Sequence, residues 1–241
     1  MNMYLIKVGA SMTFSSGFTR RFPDIWRCIA VTALMTLLLF KAFYVTAKER
    51  ADARERVMVF GDSLSAAYGI NPKDGWVTLL GAKLQSQGVA VVNASISGET
   101  TLGGLNRIKG DLARLRPTIV VLALGANDGL RGLPNNNTRK NLEAIIVASR
   151  SEGARVVLIG VQIPPNYGLE YAQQFREMYA DLAGKYKLPL VPFLLEGFAD
   201  KLEFFQADRV HPTAAAQPRI VDNVTPALSQ AIAKPGTPSR R

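Results

Sequence analysis

The stretch of sequence that decides the fold is Arg56–Phe60 (RVMVF), with the polar residues of Gly61–Ser65 (GDSLS) directly after it. Its first part is a short, nearly continuous run of apolar and β-branched residues, which predicts a strand buried on both faces of a parallel sheet. Its second part is rich in turn-forming residues and predicts a turn at the end of that strand. In open parallel sheets, ligands bind outside the carboxyl ends of the strands. The stretch therefore predicts an α/β protein with Ser63 at its ligand site.

The alternation of short apolar runs and longer amphipathic segments continues along the chain. Further strands are predicted over Val89–Asn93, Thr118–Leu124, Arg155–Val161 and Leu190–Pro192. Helices are predicted over Trp76–Gln87, Leu102–Leu115, Thr138–Ser151 and Leu169–Tyr186, with a last helix that has Pro212 near its first turn. This alternation predicts a parallel sheet of about five strands with helices on both faces. We expect the flavodoxin-like strand order 2-1-3-4-5, which puts Ser63 between the loops after the second and third strands.

The composition is that of an ordinary globular protein. The chain has 241 residues, of which 48% are hydrophobic and 20% are charged. We expect an N-terminal targeting segment over residues 1–47, one domain over 48–234 and a disordered tail over 235–241. The only cysteine, Cys28, lies in the N-terminal segment. Disulfides, thiolate catalysis and cysteine-based metal sites are therefore excluded for the predicted domain.

The formal net charge of +10 could indicate nucleic-acid binding, so its distribution is informative. Part of the charge lies in residues 1–47, and the remainder is spread along the chain. No basic stripe is interleaved with aromatic residues, as a nucleic-acid surface would require. The charge therefore indicates a solvated surface and no nucleic-acid partner.

Residues 1–47 have the layout of a secretory signal peptide. Arginines precede the apolar run Cys28–Phe40, and Val45–Ala47 supplies the small residues that a signal peptidase reads. As a helix the run is about 20 Å long, short of the roughly 30 Å hydrocarbon core of a bilayer. We expect cleavage, and the alternative is an uncleaved anchor over Ile25–Ala47. Both readings predict export to the periplasm, with membrane contact only through this segment or through the substrate.

Polar residues after the strands include the components of a serine hydrolase. A serine is nucleophilic only when a base takes its proton, and His211 is the only histidine of the chain. Asp208 precedes His211 by three residues, so its carboxylate can orient the imidazole and stabilise the protonated form. The oxyanion of a tetrahedral intermediate needs fixed hydrogen-bond donors. The candidate donors are the N–H of Ser63 at a predicted helix start, the N–H of Gly98 and the side-chain amide of Asn127.

Blocks of the sequence, taken in order, resemble those of the SGNH (GDSL) hydrolase superfamily. They are Gly61-Asp62-Ser63-Leu64-Ser65, Gly98, Gly125-x-Asn127-Asp128 and Asp208-x-x-His211-Pro212. Each block alone is ordinary, since Gly-Asp-Ser is a common turn and Asp-x-x-His a common helix cap, but their joint occurrence is specific. The wider similarity is to the superfamily's branch of bacterial periplasmic acyl-CoA thioesterases, arylesterases and lysophospholipases. It covers nearly the whole predicted domain.

The resemblance implies a three-layer α/β/α sandwich and an esterase or thioesterase that forms an acyl-enzyme. It implies Ser63 as nucleophile, completed to a triad by Asp208 and His211, and an oxyanion hole made by Ser63, Gly98 and Asn127. It implies no metal or organic cofactor, and a small acyl ester, thioester or lysophospholipid as the partner. Two loops shape the acyl pocket in the related enzymes, and the residues here are Leu130, Leu133, Ile163 and Pro164.

Three positions of this chain differ from the pattern of the family that it resembles. Glycine is frequent in the family where this chain has Ala67, Ala126 and Arg209, none of which has a chemical role. Asp62 and Asp128 are interpreted as hydrogen-bond acceptors that fix their own loops.

A carbohydrate O-acetyl esterase of the same superfamily remains an alternative, and so does a non-catalytic, flavodoxin-like binding module. The sequence predicts neither an oligomeric state nor an acyl-chain preference.

Overall fold

The structure, a computed structural model, describes residues 55–233 and the isolated Met35. Apart from Met35, the predicted targeting segment over residues 1–47 lies outside the described residues, as does the predicted tail over 235–241. In the described part of the chain, no helix is both long and apolar enough to cross a membrane.

The centre of the domain is a parallel sheet of five strands. The strands are β1 Glu55–Gly61, β2 Val89–Asn93, β3 Ile119–Ala123, β4 Arg155–Ile159 and β5 Leu190–Val191. Their order is β2-β1-β3-β4-β5, with Met58 of β1 opposite Val92 of β2 and Val59 of β1 opposite Val121 of β3. This order confirms the predicted one, and it places the end of β1 between the loops that follow β2 and β3.

Both faces of the sheet are buried, which explains the continuous apolar runs in the sequence. Successive side chains of a strand point to opposite faces. In β1, Val57 and Val59 belong to the hydrophobic cluster on one face, whereas Met58 and Phe60 belong to the cluster on the other. Each of these side chains is at most 1% exposed.

Helices cover both faces of the sheet. They are α1 Trp76–Gln85, α2 Thr101–Leu115, α3 Ala126–Leu130, α4 Asn135–Ser151, α5 Leu169–Tyr186 and α6 Gln217–Ala233. Trp76 of α1 and Ile220 of α6 lie in the cluster on one face. Ile108 of α2, Leu142 of α4 and Phe175 of α5 lie in the cluster on the opposite face. The predicted three-layer α/β/α sandwich is confirmed.

The last helix follows Pro212, as predicted, but the proline lies just outside it. A 3-10 turn over Ala214–Ala216 leads directly into α6 at Gln217, so Pro212 precedes the first helical residue by two positions. Pro212 instead forms an antiparallel bridge with Phe205. The N–H of Thr213 also donates to the carbonyl of Phe204 at 2.8 Å. These contacts hold the backbone at Pro212 extended against the preceding loop, which is incompatible with a helical turn there.

The short helix α3 was not predicted, because its sequence (ANDGL) consists largely of turn formers with low helix propensity. The N–H of Gly129 donates to the carbonyl of Gly125 at 3.0 Å, and the N–H of Arg131 donates to that of Asn127 at 3.2 Å. Asn127 therefore lies on a turn of helix and not in an irregular loop. Elsewhere the predicted elements differ from the observed ones at their ends, as at β4, which stops at Ile159.

Candidate active site

Ser63 lies in the turn that leaves the carboxyl end of β1. The N–H groups of Ser65 and Ala66 donate to the carbonyl of Asp62 at 3.1 and 3.0 Å. A helix does not start here, contrary to the prediction, because Ala67 has a left-handed backbone with φ +58° that ends the turn. Glycine adopts such a backbone without steric cost, whereas alanine does so at a cost.

Ser63, His211 and Asp208 form a continuous chain of side-chain contacts. The Nε2 of His211 lies 2.9 Å from the Oγ of Ser63. Its Nδ1 lies 2.7 Å from the Oδ2 of Asp208. The ring of Tyr68 covers the imidazole, with the two ring centroids 4.4 Å apart. The structure thus brings together the serine, histidine and carboxylate that the sequence singled out.

The carboxylate of Asp208 is held by its own loop. The N–H groups of Val210 and His211 donate to its Oδ1 at 2.9 and 3.0 Å. These two bonds, followed by the imidazole of His211, lower the pKa of Asp208 to about 2. Arg209 has φ +58°, and this left-handed residue turns the chain back toward the carboxylate. Asp208 is therefore ionised at neutral pH, and it favours the tautomer that carries its proton on Nδ1 and leaves Nε2 free to accept one from Ser63.

The candidate oxyanion donors lie on the loops that surround Ser63. Gly98 has φ +78°, and a Cβ built on it would meet no atom within 4 Å, so its backbone is accessible to a ligand. Asn127 donates one amide hydrogen to the carbonyl of Glu99 at 2.9 Å, which leaves the second hydrogen for a ligand. Gly98 and Asn127 line, together with Ser63 and His211, a cavity of about 470 Å³.

The cavity contains most, but not all, of the predicted acyl-binding residues. Leu130, Ile163 and Pro164 line it. Leu133 lies outside the lining and is 37% exposed. Its carbonyl accepts a hydrogen bond from the hydroxyl of Tyr171 at 2.9 Å, which fixes this part of the loop away from the cavity.

The sequence-based interpretation missed the wall of the cavity that follows β5. Apolar side chains form this wall, and they are Phe193, Leu194, Leu195, Ala199 and Phe205. The available signal was the apolar run Phe193–Leu195 close behind a strand, at the same edge of the sheet that carries Ser63. The cavity that contains Ser63 and His211 is therefore lined mainly by apolar residues.

Asp62 and Asp128 are buried, each 2% exposed, and both fix loops as predicted. Asp128 accepts hydrogen bonds from the N–H and the hydroxyl of Thr101 at 2.8 and 2.5 Å. Asp62 accepts one from the N–H of Leu64 at 3.0 Å. Burial raises the pKa of Asp62 to about 7, the Leu64 bond opposes this rise, and the nearby charge of Asp128 adds to it.

We expect Asp62→Asn to change the pH dependence of stability. Because the pKa of Asp62 rises from 3.8 to about 7 on folding, the folded protein binds the extra proton and loses stability as the pH rises between these values. The loss amounts to about 1.4 kcal/mol per pH unit at most. Asparagine keeps an acceptor for Leu64 and does not titrate. We expect urea unfolding at several pH values to show that the free energy of unfolding of Asp62→Asn increases relative to that of the wild type between about pH 4 and 7. A difference in the free energy of unfolding that stays constant over this range would contradict the prediction.

The fold and the site define the class of protein. A parallel α/β/α sandwich that brings a serine, a histidine and an aspartate into contact at the carboxyl edge of its sheet is an α/β serine hydrolase. Within residues 55–233, no group of three or more histidine, cysteine, aspartate or glutamate side chains is arranged to hold a metal ion.

Comparison with known proteins identifies the family. Residues 59–218 match the GDSL-like Lipase/Acylhydrolase family, and the chain belongs to it. Over 197 residues the chain is 44% identical to Esterase TesA of Pseudomonas aeruginosa, covering 81% of this chain and 98% of that protein. Over 180 residues it is 39% identical to Thioesterase 1/protease 1/lysophospholipase L1 of Escherichia coli strain K12, covering 75% and 86% of the two chains.

A solved structure agrees with these relatives. The crystal structure of the psychrotrophic esterase EstA from Pseudoalteromonas sp., inhibited by monoethylphosphonate, superposes with a TM-score of 0.71 at 36% identity. The match covers 75% of this chain and 100% of that one. The comparisons confirm the family predicted from the sequence blocks, and the chain is an ester hydrolase of this family that acts on small molecules. A non-catalytic binding module is thereby set aside.

Proposed function

We propose that the chain is an exported serine esterase that hydrolyses acyl esters and thioesters, with Ser63 as nucleophile and His211 and Asp208 completing the triad. The observation that carries the proposal is the contact chain from Asp208 through His211 to Ser63 in a cavity that is otherwise lined mainly by apolar residues. A substrate with a reactive carbonyl and a hydrocarbon chain matches this lining, because apolar walls bind the chain and a few polar groups orient the carbonyl.

In the first half-reaction, the Oγ of Ser63 attacks the carbonyl carbon while the Nε2 of His211 accepts the hydroxyl proton. The oxyanion accepts hydrogen bonds from the N–H groups of Ser63 and Gly98 and from the amide of Asn127. The intermediate then expels an alcohol or a thiol, which takes the proton from His211. The acyl group remains on Ser63 as an ester.

In the second half-reaction, water repeats the attack on the acyl-enzyme. His211 accepts a proton from the water as its oxygen bonds to the carbonyl carbon, and the same donors hold the new oxyanion. The intermediate releases a carboxylic acid, and the proton of His211 returns to Ser63. Asp208 stays ionised throughout and stabilises the protonated imidazole in both steps.

The cavity favours acyl chains longer than acetyl. Leu130, Ile163 and Pro164 line it together with the apolar residues of the wall after β5. Burying each methylene of an acyl chain against such walls contributes up to about 0.8 kcal/mol. The names of the relatives, an esterase and a thioesterase/lysophospholipase, support acyl esters, acyl thioesters and lysophospholipids as the substrate class.

Export is supported by the sequence of residues 1–47. Arginines followed by the apolar run Cys28–Phe40 and the small residues of Val45–Ala47 direct a chain across the inner membrane of a bacterium. The domain then acts in the periplasm, either released by cleavage or held by the same segment as an anchor. In both cases the membrane is contacted only through this segment or a lipid substrate.

A fluorophosphonate probe and a series of esters test the proposed function. We expect the probe to label one residue per chain, Ser63, because it mimics the tetrahedral intermediate. With 4-nitrophenyl acetate, octanoate and palmitate, we expect kcat/KM for octanoate to exceed that for acetate by about ten-fold or more. Labelling at another residue contradicts the proposed nucleophile. Turnover of acetyl esters alone favours the carbohydrate O-acetyl esterase instead.

A further inference from the structure

Glu99 is the point at which the loop Ile96–Glu99, which carries Gly98, is fixed. Its N–H closes a turn within the loop by donating to the carbonyl of the loop's first residue at 3.2 Å. Its carbonyl accepts the amide hydrogen of Asn127 at 2.9 Å. Its carboxylate, only 11% exposed, pairs with the guanidinium of Arg107 at 2.5 Å. Every polar group of this one residue is therefore engaged in holding the loop.

Two of the proposed oxyanion donors depend on the position of Glu99. Gly98 immediately precedes Glu99 and has a left-handed backbone. Besides its link to Glu99, its carbonyl accepts a hydrogen bond from the exposed Arg131 at 3.3 Å. Asn127 commits one amide hydrogen to the carbonyl of Glu99, and this bond aims the remaining hydrogen. A shift of Glu99 therefore moves both donors relative to the oxyanion, whose stabilisation depends closely on donor geometry.

Arg107 connects Glu99 to the rigid part of the domain. Arg107 belongs to α2, pairs with Asp111 on the same helix at 2.6 Å and lies 3.9 Å above the ring of Phe60. Phe60 is fully buried in β1, the strand that ends at Gly61, two residues before Ser63. The side chain of Arg107 is only 21% exposed, so solvent screens its pair with Glu99 less than it screens a surface pair. The arginine thus ties the loop to the same strand that positions the nucleophile.

Gly103, in the first turn of α2, provides the space that the Glu99 carboxylate occupies. A Cβ built on Gly103 would overlap the Oε1 of Glu99, whereas the next atom of any other residue, the Oγ1 of Thr100, is 3.7 Å away. Alanine is favoured over glycine inside a helix by about 1 kcal/mol. Gly103→Ala therefore displaces the carboxylate without weakening the helix, and it changes no charged residue.

We propose that Glu99, held by Arg107, is a positioning residue of the oxyanion hole. It aligns the N–H of Gly98 and the amide of Asn127 and does not itself touch the substrate. The assignment rests on the proposed function, since it presumes that these donors face an oxyanion. The ion pair between Glu99 and Arg107 therefore supports catalysis by fixing the positions of these two donors.

The test compares the wild type with Glu99→Gln, Arg107→Gln and Gly103→Ala, using 4-nitrophenyl octanoate. We expect kcat to fall about ten- to hundred-fold, somewhat less than on removal of a whole oxyanion donor, while KM stays within about two-fold. An octyl trifluoromethyl ketone forms a tetrahedral adduct on the serine. Its inhibition constant should rise by the same factor as kcat/KM falls, whereas inhibition by octanoate should not change. If Glu99 had a purely structural role, the inhibition constant of the ketone would not rise by the same factor as kcat/KM falls.

Three comparisons make the outcome decisive. Arg139→Gln breaks an exposed ion pair with Asp181, 2.7 Å long and remote from the cavity, and should leave kcat unchanged. In an Asn127→Ala background, Glu99→Gln should cost less than it does alone, because both act on the same donor. Unchanged kcat and ketone inhibition in all the folded variants overturn the role of Glu99. Retained activity in Ser63→Ala overturns the proposed function instead, so the two failures are distinguishable.

Discussion

Ser63→Ala should lower kcat/KM for 4-nitrophenyl octanoate by about 10⁵-fold or more. Without the Oγ that lies 2.9 Å from the Nε2 of His211, no acyl-enzyme can form, and only the oxyanion donors and substrate binding remain. The loss corresponds to about 7 kcal/mol of transition-state stabilisation. Steady-state kinetics at high enzyme concentration measures it, and loss of fluorophosphonate labelling in the same variant identifies the residue.

Ser65→Ala is the matched control for this prediction. Ser65 lies in the same turn, and its Oγ is buried with no hydrogen-bond partner within residues 55–233. The same atom is therefore deleted close to Ser63 without breaking a hydrogen bond, and activity should stay within about two-fold of the wild type. Turnover in Ser63→Ala comparable to that in Ser65→Ala would show that another group is the nucleophile.

His211→Ala should cause a loss of similar size, between about 10⁴- and 10⁶-fold in kcat. The chain contains a single histidine, so no second imidazole can take the proton of Ser63. The variant should also react with the fluorophosphonate more slowly by a comparable factor, because the hydroxyl is no longer activated. Stopped-time labelling followed by mass spectrometry gives this rate independently of substrate turnover.

The double variant Ser63→Ala/His211→Ala separates a working triad from two independent contributions. Because the serine and the histidine act as one unit, the double variant should be about as active as either single one. If the two losses multiply instead, the residues contribute independently and the proposed mechanism is wrong. Far-UV circular dichroism and thermal unfolding of each variant exclude loss of folding as the cause.

Local patterns were enough to predict most of the sheet. The runs at Arg56–Phe60 and Val89–Asn93 are buried on both faces of the sheet, so their apolar character is continuous and easily recognised. The alternation with helices predicted a parallel sheet, and the expected strand order 2-1-3-4-5 is the one that the structure shows. The position of its turn at the end of β1 placed Ser63 at the ligand-binding edge of the sheet, and the joint occurrence of the other sequence blocks singled it out as the candidate nucleophile.

Features that depend on an unusual local backbone or on contacts between distant residues were not predicted. The turn after Ser63 is not a helix because Ala67 is left-handed, and a left-handed alanine has no signature in the sequence. Pro212 is extended because it pairs with Phe205, and not because of its own preference, which suits a first helical turn. Leu133 lies outside the cavity lining, and its carbonyl accepts a hydrogen bond from the hydroxyl of Tyr171 on α5, a contact that the local sequence does not indicate.

The sequence by itself determined the chemistry of this protein. It contains one histidine, and it has no cysteine outside the first 47 residues, so few types of catalysis are compatible with it. Its polar residues come directly after the predicted buried strands, so few positions are available for an active site. The tertiary structure decided the geometry. Only folding brings His211 to 2.9 Å from a serine 148 residues earlier, builds the wall after β5 and joins Glu99 to Arg107 beside the proposed oxyanion donors. The reason is physical: residue type sets what a group can do, whereas packing across the sheet sets which groups meet.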